Sequence, residues 1–172
     1  MKIRAIGVVV CLLVAASVFA AGDPNLQPLA GTWNCTGIAF ASEMGPEHPT
    51  KATVMGMWIL DGKWLQVRYQ ETKTAKNPHP IGAQMIMSYD AGKKTVVSGC
   101  VDNMGGYCTE ESMSPPWDGD KMVLTGKGHF GGMDLQVRDT FTKGPGWVKH
   151  MGEVEGKGGA WMKTDEETCK KK

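Results

Sequence analysis

Arginine is almost missing from this chain. Of its three copies Arg4 lies in the first twenty residues, so only Arg68 and Arg138 remain beyond them. Neither sign of charge is in excess, with 19 basic residues against 18 acidic ones and a net charge of +1. Such a balance provides no basic field for nucleic acid. Long apolar runs are confined to the first twenty residues, and nothing later approaches the ~20 apolar residues that cross a bilayer. Sustained helical periodicity is lacking, and 23 glycines argue against long helices. No Cys-x-x-Cys or His-x-x-x-His spacing occurs, which removes the usual zinc sites. Gly-x-Ser-x-Gly, His-Glu-x-x-His and a phosphate-cradling glycine loop are absent as well. The acidic groups close enough in sequence to suggest acid–base chemistry are Asp102, Glu110 and Glu111. They form no recognisable motif, so no catalytic residue and no cofactor is expected.

What is present begins with an export signal. Lys2 and Arg4 are followed by an apolar stretch from Ile6 to Val18, and Val18-Phe19-Ala20 supplies the small residues of a cleavage site. Cleavage after Ala20 removes Cys11 and leaves 17 basic against 18 acidic residues, a net charge of −1. The expected address is secreted, periplasmic or extracellular. Four cysteines remain, an even number that in an exported chain reads as disulfides. Cys100 and Cys108 are equidistant from Met104 in the turn Asp102-Asn103-Met104-Gly105-Gly106, so a hairpin there sets them opposite each other. Cys35 and Cys169 are then left to pair.

Beyond a Pro-punctuated lead-in over 21–28, short alternating segments read as strands over 30–40, 52–60, 63–71, 81–89, 94–101, 106–111, 121–127, 133–142, 147–155 and 159–164. Asp61-Gly62, Asp90-Ala91-Gly92, Asp118-Gly119, Gly144-Pro145-Gly146 and Glu155-Gly156 carry hairpin turn chemistry between them. Residues 41–50, 72–80 and 112–118 read as loops or interruptions. About 150 residues suffice for one domain with a real core. The expectation is an all-β chain, an antiparallel up-and-down barrel of about ten strands over 29–169, with a solvated basic tail over 170–172.

Four segments in order then become informative. Leu29-Ala30-Gly31-Thr32-Trp33 resembles the Gly-x-Trp start of lipocalin-like barrels. Leu60-Asp61-Gly62-Lys63-Trp64-Leu65, then Ser88-Tyr89-Asp90-Ala91-Gly92-Lys93-Lys94 and Val101-Asp102-Asn103-Met104-Gly105, resemble the bacterial lipocalin-like DUF1579 family of unknown function. The resemblance implies a calycin-type barrel with Gly31 and Trp33 in a structural role, and it brings no activity with it. In lipocalins an Arg of the last strand packs on that tryptophan. No Arg stands there in this chain, so Lys163 or Arg138 is the expected substitute.

The two remaining arginines lie in identical tetrapeptides, Leu65-Gln66-Val67-Arg68 and Leu135-Gln136-Val137-Arg138. Alternation sets Gln66 with Arg68, and Gln136 with Arg138, on one face of opposite strands. Two readings are open. If those faces point inward, the guanidiniums receive an anionic head group; if outward, the aliphatic residues between them fill the core. Met55 with Met57, and Met85 with Met87 and Tyr89, are the candidate lumen lining, because thioethers fill irregular apolar space. Together these residues point to a lumen for a small hydrophobic or amphipathic molecule. The alternatives are a haem or copper barrel using His150 and the methionines, and a filled barrel serving as a structural or partner-binding module.

Overall fold

The computed structural model describes residues 22–42 and 45–172; the export signal expected over 1–20 lies outside the described residues. A short 3-10 turn (Gln27–Leu29) precedes ten strands: β1 (Gly31–Ala39), β2 (His48–Ile59), β3 (Trp64–Glu71), β4 (Gly82–Asp90), β5 (Thr95–Asp102), β6 (Tyr107–Asp118), β7 (Lys121–Phe130), β8 (Met133–Gly144), β9 (Trp147–Glu155) and β10 (Trp161–Lys171). Each strand pairs antiparallel with its neighbours in sequence, and β1 pairs with β10 to close the barrel. The Asp61-Gly62 turn takes positive φ at both positions, 57° and 75°, as a tight hairpin requires.

Three local features differ from the sequence expectation. β10 continues past residue 164, and the seven pairs from Ala39↔Asp165 to Trp33↔Lys171 are what close the ring. Lys170 and Lys171 are therefore strand residues. β6 runs through the expected interruption, because the prolines Pro115 and Pro116 break only the ladder, between Ser112 and Trp117, where the register shifts. β2 starts four residues before the expected 52.

The barrel has two unlike ends. At the end holding Gly31 and Lys171, the lead-in folds across the opening and buries Leu26 and Leu29. Its carbonyls are tied to the barrel by two indoles, Trp33 Nε1 donating to Leu29 O at 3.3 Å and Trp117 Nε1 to Asn25 O at 2.7 Å. Beneath this plug Leu65, Met87, Val96, Met122 and Leu124 are all 0% exposed. Each such aliphatic side chain contributes about 2 kcal/mol by leaving water. The opposite end, the mouth, is bounded by the turns after Ala39, Glu71, Asp102, Phe130 and Glu155.

Both disulfides form as the spacing predicts, Cys35–Cys169 across the β1–β10 seam and Cys100–Cys108 across β5–β6. The first closes a loop of 134 residues and the second a loop of 8. In the chain-entropy picture these closures contribute roughly 5 and 2.5 kcal/mol respectively.

Candidate functional site

Register and burial decide which face of each strand lines the barrel. In β3, Leu65, Val67, Tyr69 and Glu71 point inward, so Gln66 and Arg68 point out, and Gln66 Nε2 donates to Gln84 on the outer surface at 2.9 Å. In β8, Val137, Asp139 and Phe141 are inward, which turns Gln136 and Arg138 out as well. Arg138 lies over the Trp161 ring at 4.2 Å and pairs with Glu153 at 2.7 Å. The inward arginine reading is therefore corrected: no guanidinium faces the lumen from these strands. The methionines divide. Met85, Met87 and Tyr89 are inward, with Met87 fully buried in the floor. Met55 and Met57 are 36% and 38% exposed on the outer wall. The reason is Gly56 between them. It is the inward residue, and a Cβ there would strike the Leu29 carbonyl of the plug. Trp33 keeps a cation on its ring, but this is Lys171 of β10 at 5.2 Å, while Lys163 lies over Phe40 instead.

Above the apolar floor, the inward face carries polar side chains that alternation places in line with apolar ones. Val148 is followed two residues on by His150; Phe141 is preceded by Asp139; Cys108 is followed by Glu110; Cys169 is preceded by Glu167 and Asp165. His150 sits at the centre. Its Nε2 is 3.1 Å from Asp139 Oδ1 and its Nδ1 3.0 Å from Asp165 Oδ2, while its ring packs on Phe141 at 5.0 Å. On one side Ser98 Oγ donates to Glu110 at 3.4 Å; on the other Tyr69 Oη donates to Glu167 at 2.7 Å. Nearer the mouth Asn77 Nδ2 and the Ile81 amide donate to Glu71 at 2.6 and 2.9 Å. Two inward glycines admit close approach: a Cβ on Gly152 would meet the Asp165 carboxylate, and one on Gly37 would meet the Glu166 backbone carbonyl and then Glu167.

Protonation follows from this geometry. Burial alone would discharge His150, but the flanking Asp165 and Asp139 carboxylates hold its pKa well above the ordinary value. Burial likewise works against ionised Asp165, yet the imidazolium keeps its carboxyl below the usual range. Glu110 has no such cation in contact. Burial, reinforced by the Asp139 charge, pushes it up to about 9. It is a neutral acid at pH 7, and its proton is shared with the neighbouring Asp139 carboxylate. Glu167 is raised mainly by burial, and Tyr69 by burial and by Glu167.

This layer is enclosed by the barrel wall. The side chains of Asp139, His150 and Asp165 are 20%, 26% and 33% exposed, whereas Glu71, Glu110 and Glu167 are buried. Five inward carboxylates, those of Glu71, Glu110, Asp139, Asp165 and Glu167, share the layer. Among the described residues the inward-facing lysines, Lys143 and Lys171, lie at the plugged end. The haem and copper readings find no support in the arrangement: both His150 nitrogens are engaged, and the two methionine pairs lie on opposite faces of the wall. Cys35, Glu167 and Cys169 have metal-ligand spacing, but the two sulfurs are bonded to each other.

A closed ten-strand antiparallel barrel, plugged at one end and lined with acid groups toward the other, defines the class as a lipocalin-like, calycin-type barrel. The model of the family "Protein of unknown function (DUF1579)" matches residues 24–170, and the chain belongs to that family. The crystal structure of Rv2717c from M. tuberculosis is similar in fold, with a TM-score of 0.68 at 13% sequence identity, over 88% of this chain and 99% of that one. No curated protein sequence is matched. Sequence reasoning brings forward Glu110, as one of three neighbouring acids, and His150, as an alternative metal or haem ligand; Tyr69, Glu71, Asp139, Asp165 and Glu167 are missed. Their signal was parity with residues whose inward direction is forced, such as Cys169.

Proposed function

We propose that this protein is an exported carrier or receptor barrel that binds a small amphipathic molecule in the mouth half of its lumen. In this reading the polar end of the ligand carries positive charge or hydrogen-bond donors. The supporting observation is the ring of inward carboxylates served by two imidazoles, His150 between Asp139 and Asp165 and His48 at 3.5 Å from Glu71, with no inward lysine or arginine among the described strand residues of that layer. Asp139 and Asp165 share one cation, His150. An ammonium or hydroxyl donor entering the lumen adds a second donor for these carboxylates, whereas an anion is repelled by both. The filled floor limits the ligand to a small one, with Met85 as an apolar contact. Export is supported by the sequence of the first twenty residues and by two disulfides. No helix among the described residues is long and apolar enough to cross a membrane.

Titration calorimetry of the mature protein with phenethylammonium, 2-phenylethanol and phenylacetate tests the reading. The expected order is ammonium first, alcohol second, and no detectable phenylacetate in the lumen. Asp139→Asn and Asp165→Asn should each weaken the ammonium about tenfold, close to 1.4 kcal/mol. Equal affinity for the ammonium and its carboxylate analogue in the lumen would overturn the proposal.

A further inference from the structure

At the plugged end, a pocket of about 550 Å³ opens between the lead-in and the barrel wall, lined by Gln27 and Pro28 on one side and by Trp33, Trp147, Lys143 and Lys171 on the other. Its volume lies within the roughly 300–1,000 Å³ of small-molecule sites. We infer that this pocket is a second binding site, for a flat organic anion such as an aromatic carboxylate.

The charge is the first reason. Lys143 Nζ lies 4.0 Å from the centre of the Trp117 ring, and Lys171 Nζ lies 5.2 Å from that of Trp33. Ring faces hold both ammonium groups by cation–π attraction, and neither forms an ion pair with a described carboxylate. Asp120 also lines the pocket, leaving two positive charges against one negative. Both lysines line the pocket without being neutralised, so a carboxylate entering it meets a net positive field and gains a charge-assisted hydrogen bond from either.

Shape is the second reason. The Trp147 indole folds across Gly144, where any Cβ would strike the ring, and Lys171 crosses Gly31 to reach Trp33, its Cε 3.0 Å from where a Cβ of residue 31 would stand. Both positions need the absence of a side chain, and both serve to lay a ring or a cation along the pocket. Trp147 then offers a flat apolar surface for an aromatic body. The backbone of the two lysine strands is fixed nearby, Lys143 N donating to Asp120 O at 2.9 Å and Lys171 N to Gly146 O at 3.0 Å. The site lies at the end of the barrel opposite the acidic layer and favours a ligand of opposite charge.

The test uses the mature, disulfide-intact protein with 2-naphthoate and its neutral counterpart 2-naphthamide, followed through the indole N–H signals of its six tryptophans by NMR. Expected are shifts of the Trp147 and Trp33 signals on adding 2-naphthoate, with at least about tenfold weaker binding of 2-naphthamide. A Lys143→Gln/Lys171→Gln variant should lose that preference and keep its affinity for phenethylammonium, since the mouth is untouched. The single variant Lys171→Gln, at an exposed residue, should lose part of it and guards against a folding defect in the double variant. Failure of 2-naphthoate to shift Trp147 up to about 10 mM, equal binding of acid and amide, or an unchanged preference in the double variant would each overturn the inference.

Discussion

The plugged half and the mouth half of this barrel are built from the same strands with the same alternation, yet they do opposite things with their inward positions. In β9 the step from Val148 to His150 passes from floor to acidic layer; in β8 the step from Phe141 to Asp139 does the same. Below the boundary the inward side chains exclude water and are covered by Leu26 and Leu29. Above it they carry carboxylates and imidazoles, and at Gly152 a Cβ would meet the Asp165 carboxylate. Stability and function are thereby separated along one axis. The floor and the seam hold the ring together, and the mouth carries groups that folding alone does not require.

The largest test of this division is the seam. Replacing both Cys35 and Cys169 by Ser should cost roughly 5 kcal/mol in denaturant unfolding, about twice the loss from the Cys100/Cys108 pair, because the closed loop is far longer. Equal losses would contradict the chain-entropy account. In the floor, Leu124→Ala should cost roughly 3 kcal/mol through lost burial and a cavity. The same denaturant series on Ser98→Ala, in the polar layer, should give about 1 kcal/mol.

A smaller effect concerns pH. Glu110, raised by burial and by Asp139, binds its proton more tightly folded than unfolded. Its contribution is complete below the ordinary value of 4.5 and is lost as pH rises toward about 9. His150 is shifted in the same direction, so its contribution also fades as pH rises above its unfolded value. Wild-type stability should therefore fall on the alkaline side, with a slope of up to about 1.4 kcal/mol per pH unit per proton. Glu110→Gln keeps the shape and a hydrogen-bond donor without the titration, so its melting temperature should fall less between pH 6 and pH 9. Parallel profiles for the two proteins would remove Glu110 from the account. The smallest effect belongs to Arg68, which is exposed on the outer wall; Arg68→Leu should change stability by no more than about 0.5 kcal/mol and leave phenethylammonium affinity unaltered.

Architecture was legible because turn chemistry and alternation are local. Asp61-Gly62 marks its hairpin whatever lies across the barrel, and the Cys100–Cys108 pairing follows from a turn five residues long. Facing is not local. Whether Met55 or Gly56 points inward is decided by the plug passing over Gly56, a contact between residues 27 positions apart in the chain. The arginines misled for a related reason: Gln66 and Arg68 alternate as cleanly as Leu65 and Val67, and only closure of the ring tells lumen from outer wall. The acidic layer was dispersed over β3, β5, β6, β8, β9 and β10, so no window of sequence contains it. Its one readable signal lay in carboxylates at two-residue steps from inward cysteines, Cys108 to Glu110 and Cys169 to Glu167.

The most direct test of the division between a filled floor and a receptive mouth is native mass spectrometry of the protein purified from its natural source, beside its denatured mass. The account predicts a small extra mass that leaves on denaturation and is lost in the Asp139→Asn/Asp165→Asn variant. A native mass equal to the bare chain with two disulfides, in the wild type and after incubation with phenethylammonium, would contradict it and leave the barrel as a structural or partner-binding module.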